Sequence, residues 1–175
     1  TTNASSQQLQ NFAYTYDGIG NILTITDTVN TGSQTFQYDA LNRLTQSTGA
    51  YGTKTFSYDQ IGNLLTKDGL TYTYGVSGAK PHAVTALSDG TTIQYDANGN
   101  MTKKTKGSEV WDYVYDLENR LTCVKKNNST IANYEYDGDG GRVKKTVYGS
   151  TTTTTKYVGS LYEETNGTAT KHIYL

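Results

Sequence analysis

The sequence is poor in the residues that usually lock or thicken a fold. Its 175 residues include one proline, one cysteine, one methionine, one tryptophan and three phenylalanines. A lone Cys123 has no partner for an internal disulfide, which rules out a disulfide framework and says little about the compartment. Hydrophobic residues make up 34% and mean hydropathy is -0.64, too little apolar material for a thick core. Charge is also sparse and balanced. With 15 Lys and Arg against 16 Asp and Glu, the net charge is -1. The chain therefore has no basic footprint for nucleic acid or an anionic membrane. No apolar run approaches the ~20 residues of a membrane helix, and no signal peptide opens the chain. A first residue of Thr rather than Met suggests a processed or excised segment with any targeting signal upstream. The last residues, His172-Ile173-Tyr174-Leu175, read as a strand without a closing element and suggest a second cut.

What is present is tyrosine, threonine and glycine. Sixteen Tyr supply apolar area on rings that carry a hydroxyl, so they can pack and still meet water. About thirty Thr fit pleated strands, and 18 Gly supply turns with positive φ. The expected class is all-β, with thin sheets wet on one side.

Internal repeats organise the chain. Six segments align: Tyr16-Asp-Gly-Ile-Gly-Asn-Ile22, Tyr38-Asp-Ala-Leu-Asn-Arg-Leu44, Tyr58-Asp-Gln-Ile-Gly-Asn-Leu64, Tyr95-Asp-Ala-Asn-Gly-Asn-Met101, Tyr115-Asp-Leu-Glu-Asn-Arg-Leu121 and Tyr136-Asp-Gly-Asp-Gly-Gly-Arg142. Their tyrosines lie 22, 20, 37, 20 and 21 residues apart. The long gap holds a divergent copy around Tyr72 and Tyr74, and Tyr157 keeps the period after its motif has decayed. Each unit predicts a β-hairpin whose three-residue loop is a type I turn followed by a left-handed residue. That residue is Gly20, Asn42, Gly62, Gly99, Asn119 and Gly140, the two types that best tolerate positive φ. Asp17, Asp39, Asp59, Asp96, Asp116 and Asp137 accept N–H bonds from their own turns in this reading.

The register sets each motif Tyr against the residue six later, Tyr16 with Ile22 through Tyr115 with Leu121. Such aromatic–aliphatic pairs contribute about 0.2–1 kcal/mol each. Asp39 then faces Arg43, and Asp116 faces Arg120, on the opposite, polar face. In the sixth unit Arg142 stands where an aliphatic residue is expected, predicting a twisted or shifted hairpin. Gly- and Ser-rich returns at 47–52 and 126–129 complete a meander of about fifteen antiparallel strands in one continuous sheet. Thr151 to Thr155 read as strand, Asn166-Gly167 as a separate hairpin turn, and Val76 to Leu87, with Pro81, as an irregular insertion. A single repeat module over 1–175 is expected, with about eight hairpin units, a divergent one near 72–90 and degenerate ones over 142–175.

These units, at about 21 residues, resemble the YD repeats of Rhs proteins, teneurins, bacterial wall-associated proteins and the shell component of ABC toxin complexes. Lys80-Pro-His-Ala-Val-Thr85 and the Tyr136-Asp-Gly-Asp-Gly stretch also resemble parts of the late Rhs core. The resemblance implies a sheet that spirals into a hollow shell, often enclosing a toxin, in a secreted bacterial or archaeal protein at the cell surface or outside it. Its implied partners are further repeats of the parent chain and an encapsulated toxin domain. The Asp-Pro motif used by the family for self-cleavage is absent here.

Chemistry is scarce. His82 and His172 stand beside no cluster of Cys or carboxylates. Cys123 sits in a strand, where a small half-buried residue is expected. Asp137-Gly-Asp-Gly140 opens like a calcium loop but lacks the later acidic ligands. Glu163 and Glu164 point to opposite faces of a strand and so form no acid–base pair. No phosphate loop or serine elbow occurs. Sequons at Asn3, Asn127, Asn128 and Asn166, and the threonines 151–155, are candidate glycan attachment points. The expected function is non-enzymatic and without cofactor: a piece of shell or scaffold. The alternatives are self-assembly through open strand edges into a filament or tube, and glycan binding by tyrosines on the wet face.

Overall fold

Alternation of Thr, Ser or Lys with aromatic residues suits a pleated ribbon, because β-branched and aromatic side chains pack across neighbouring strands. A computed structural model of the chain describes residues 8–30 and 32–172. Seventeen strands are present there, together with one 3-10 turn at Val76–Gly78 and no α-helix. The chain divides into two compact units, Thr1–Tyr72 and Thr73–Leu175.

The first unit is an antiparallel meander of β1 (Phe12–Tyr16), β2 (Ile22–Asp27), β3 (Gly32–Tyr38), β4 (Leu44–Gly49), β5 (Gly52–Tyr58), β6 (Leu64–Lys67) and β7 (Leu70–Tyr74), whose end carries the chain out of the unit. The second unit continues with β8 (Val84–Leu87), β9 (Thr92–Tyr95), β10 (Met101–Lys106), β11 (Glu109–Tyr115), β12 (Leu121–Lys126), β13 (Ser129–Tyr136), β14 (Arg142–Val147), β15 (Thr153–Val158), β16 (Tyr162–Thr165) and β17 (Thr168–Lys171). Each strand from β8 to β17 again pairs antiparallel with the next.

Every motif tyrosine lies opposite the residue six later, with a register shift just before the turn: Tyr16 and Ile22, Tyr38 and Leu44, Tyr58 and Leu64, Tyr95 and Met101, Tyr115 and Leu121. The core stays thin. In the second unit Tyr113, Val124, Ala132 and Val147 face one another across four strands, and Val124 and Ala132 are the buried hydrophobic residues among those described. The first unit pairs hydroxyls across strands, Thr15 with Thr24 at 2.7 Å and Thr48 with Thr53 at 3.1 Å.

Four expectations need correction. The sixth hairpin keeps the common register, Tyr136 opposite Arg142. Its guanidinium lies over the rings of Tyr157, 4.8 Å away, and Tyr134, 5.8 Å away, so a cation covers aromatic faces where an aliphatic chain would have packed. The insertion is shorter than Val76 to Leu87, because Val84–Leu87 forms β8. The strand expected from Thr151 begins at Thr153. The described strands number seventeen, two more than the fifteen read from the returns, because Asp68-Gly69 turns β6 into β7 and Leu87–Thr91 turns β8 into β9. Residues 173–175 and the sequon at Asn3 lie outside the described residues.

Candidate functional site, the row of repeated turns

The motif turn is closed by its aspartate. In the first unit Asp17 N–H donates to the Asn21 carbonyl at 2.9 Å, and Gly20 N–H donates back to the Asp17 carbonyl at 3.2 Å. The same pair of bonds closes the turns at Asp39, Asp59, Asp96, Asp116 and Asp137. The residue before the last must turn left-handed: φ is 95° at Gly20, 61° at Asn42, 91° at Gly62, 95° at Gly99, 62° at Asn119 and 84° at Gly140. Each Asp Oδ1 accepts N–H bonds from the residues two and four later, for example Leu41 at 2.9 Å and Arg43 at 3.0 Å onto Asp39.

The second carboxylate oxygen takes a side chain. Asn21, Arg43, Asn63, Asn100 and Arg120 donate to Oδ2 of their own aspartates at 2.7–2.9 Å. Gly141 occupies that place in the sixth turn. These bonds favour the charged form. The backbone N–H of Arg43 on Asp39, and of Arg120 on Asp116, holds each carboxyl below the ordinary value of 3.8. The Asn100 side chain does so first at Asp96. At Asp17, partial desolvation pulls upward and is outweighed by the Asn21 side chain and the turn amides.

The same side chains join one turn to the next, a link that the motif spacing leaves unstated. Arg43 Nη1 donates to the Asp59 carbonyl at 3.0 Å, and its guanidinium stacks 4.7 Å from the Tyr58 ring centre. Arg120 repeats this with the Asp137 carbonyl at 3.2 Å and the Tyr136 ring at 5.2 Å. Where Asn replaces Arg, Asn21 Nδ2 reaches Asn42 Oδ1 at 3.1 Å and Asn100 Nδ2 reaches Asn119 Oδ1 at 2.8 Å.

Tyrosine hydroxyls supply the second link. Tyr38 donates to the Ile22 carbonyl, Tyr58 to Leu44, Tyr95 to Val84, Tyr115 to Met101 and Tyr136 to Leu121, at 2.8–3.2 Å. Each acceptor is the residue just after the previous turn, so these five tyrosines each pin their repeat to the one before it. Burial pushes the hydroxyl pKa of Tyr95, Tyr113 and Tyr115 upward.

The insertion obeys the same rule. Gly75 N–H donates to the Ala83 carbonyl at 3.1 Å, as Asp17 does to Asn21, and Val84 accepts the Tyr95 hydroxyl, as Ile22 accepts that of Tyr38. Residues 75–83 are an enlarged motif turn. Beside it lies an open groove of about 640 Å³, lined by residues including Thr73, Val76, Ala79, Thr85, Ile93 and Tyr95. Asp96 also borders the groove, with its oxygens engaged by Asn98 and Asn100.

The other sites considered from sequence remain apart. Among the described residues no group of three His, Cys, Asp or Glu is placed to hold a metal. His172 lies 3.8 Å from Glu163 at an exposed edge, and Cys123 is half-buried. Asn127 and Asn166 use their side-chain oxygens to bond Val110 N–H and Thr154 N–H, each at 2.8 Å, and so tie return turns to the neighbouring hairpin.

Fold and turn together define a tandem β-hairpin repeat protein. Residues 16–54 match the family described as RHS Repeat. Over 122 residues, 66% of the chain, the sequence is 36% identical to the tRNA3(Ser)-specific nuclease WapA of Bacillus spizizenii and equally so to the tRNA nuclease WapA of Bacillus subtilis. The chain spans about 5% of the length of those relatives. Among solved structures, the Photorhabdus luminescens Tc holotoxin pore matches with a TM-score of 0.64 and 20% identity, covering 93% of this chain and 10% of that one. A TcdB2-TccC3 structure matches with a TM-score of 0.52 and 17% identity, covering 96% and 11%. These likenesses show a shared fold. The chain carries repeats similar to those of the YD-repeat, or Rhs, family, with the family model matched over residues 16–54.

Proposed function

We propose that residues 1–175 act as one structural module, a stretch of wall in a YD-repeat shell that encloses a toxin cargo outside the producing cell. The observation that carries this reading is the double pinning of successive repeats, tyrosine hydroxyl to carbonyl and turn side chain to next turn. Such pinning spends the motif residues on building a sheet and leaves none for turnover. The repeat motif residues, from Tyr16 to Gly140, are structural in this reading. Likeness to the Tc holotoxin fold supports a wall role, and the WapA relatives are named as tRNA nucleases. Their nuclease chemistry belongs, in this reading, to parts of those proteins outside the stretch matched here. The test is protease protection in the natural gene product. A cargo segment should resist digestion while the repeats are intact and become cleavable when Tyr38, Tyr58, Tyr115 and Tyr136 are changed to Phe. A cargo digested equally in both would overturn the reading.

A second reading, self-assembly into a filament or tube, is favoured by one observation. Strand β1 is exposed along its whole length and carries no charge.

A further inference from the structure

In four motif turns the last residue carries the side chain that reaches the next turn: Asn21, Arg43, Asn100 and Arg120. In the enlarged turn 75–83 that place belongs to Ala83, whose carbonyl accepts the Gly75 N–H as the Asn21 carbonyl accepts that of Asp17. Alanine has no side-chain donor, so the motif's own route to the following turn is closed at this joint.

Lys80 supplies another route. It stands three residues before Ala83, and its carbonyl accepts the Ala83 N–H at 2.8 Å, which ties it to the closing end of the turn. Its Nζ donates to the Asn98 carbonyl, in the turn 96–100, at 2.9 Å. Arg43 and Arg120 do the same at their joints, each giving a cationic N–H to a backbone carbonyl of the next turn at 3.0 and 3.2 Å. Charged donors make the stronger class of hydrogen bond.

A second observation lies on the receiving turn. Gly20, Gly62, Gly99 and Gly140 hold the left-handed place in their turns, with φ between 84° and 95°. A Cβ added at Gly20, Gly62 or Gly140 would meet nothing within 4 Å. At Gly99 it would stand 3.3 Å from Lys80 Nζ and 3.6 Å from Cδ and Cε. Asparagine fills the same left-handed place at Asn42 and Asn119. The demand for glycine at 99 therefore comes from the Lys80 side chain lying across it as well as from φ.

We propose that Lys80 is a positioning residue that carries the link between repeats across the enlarged turn, with Gly99 as its matched receiving site. The donor has moved three residues back, and the next turn is cleared to receive it. A five-residue turn ending in Asn, such as 17–21, would restore the motif's own donor at this joint and make Lys80 dispensable. The inference rests on the structural reading of the motif turns and does not depend on an enclosed cargo.

The test is amide exchange together with urea unfolding of the 175-residue chain and its variants. Lys80→Met keeps most of the aliphatic stem and removes the donor. Exchange at Gly75 and Ala83, whose N–H bonds close the enlarged turn, should quicken about fivefold. Lys80→Arg should return native rates, which separates the donor from mere packing of the stem. Gly99→Asn should lower the urea midpoint more than Gly62→Asn does, and that difference should vanish in the Lys80→Met background. Lys80 is exposed, so its variants should keep the strand content of the native chain. Native exchange rates in Lys80→Met would overturn the link. Equal midpoints for Gly99→Asn and Gly62→Asn would overturn the pairing with Gly99. Neither readout involves a cargo, so a failed link and a failed shell reading are distinguishable.

Discussion

Tyr58 has two roles that can be separated. Its ring faces Leu64 across the hairpin, and its hydroxyl bonds the Leu44 carbonyl at 2.9 Å. Tyr58→Phe keeps the ring and strands the carbonyl, so urea unfolding should show a loss of about 1 kcal/mol. No loss would mean that water replaces the bond. At the turn, Gly62 has a φ of 91°. Gly62→Val forces a β-branched residue into that region and should cost at least about 1–2 kcal/mol by the same measurement, whereas Asn42→Gly should be close to neutral. Acid should act through the aspartates. Bonds from Arg43, Asn100 and Arg120 hold Asp39, Asp96 and Asp116 below 3.8, and the Lys106 side chain leads in bringing Asp89 down to about 2. A lowered folded pKa adds stability that is present above the unfolded value and lost as pH falls through the folded one. Melting temperature should thus hold above pH 4 and fall between about pH 3.8 and 2. The left-handed positions and aspartates were legible because few residue types satisfy those backbone demands. The hydroxyl acceptors were not, because every residue offers a carbonyl and none marks itself as the target. The Arg43 to Tyr58 link did leave a trace, since Arg120 and Tyr136 repeat it at nearly the same separation.

Hairpins are the elements, and their coupling can be measured. Arg43 touches both the Asp59 carbonyl and the Tyr58 ring. A double-mutant cycle between Arg43→Ala and Tyr58→Leu should return a coupling of about 0.5–1 kcal/mol, and additive losses would leave the stacking without energetic weight. The enlarged turn offers a second test at this scale. Replacing the nine residues 75–83 with the five-residue turn 17–21 should preserve the hairpin. The shorter loop should raise stability by about 0.5 kcal/mol, and loss of strand content by circular dichroism would show that the insertion has its own structural task. Strand order and register were readable from the Tyr-to-aliphatic spacing. The turn at Leu87–Thr91 was harder, because Leu87 stands where the motif has Asp and only Asp89-Gly90 signals the bend. In the sixth hairpin the substitution of Arg142 for an aliphatic residue suggested a slip. The register held because Arg142 finds two aromatic faces instead of an apolar partner.

At the scale of the whole molecule, stability cannot come from a deep core, since Val124 and Ala132 are its buried hydrophobic residues among those described. It must accumulate from repeated contributions of a kilocalorie or less, as in other repeat arrays. If residues 1–175 act as one module, calorimetry should give a single transition, whereas two transitions would define two modules. The scarcity of large apolar residues and the tyrosine count made the thin sheet readable from composition. The pinning between repeats required coordinates.

The most direct measurement is cryo-electron microscopy of the natural gene product. This segment should lie in the wall of a closed, hollow shell, with the hydroxyls of Tyr38, Tyr58, Tyr95, Tyr115 and Tyr136 resting on carbonyls of the preceding repeats. An extended open sheet with no enclosed volume would contradict it.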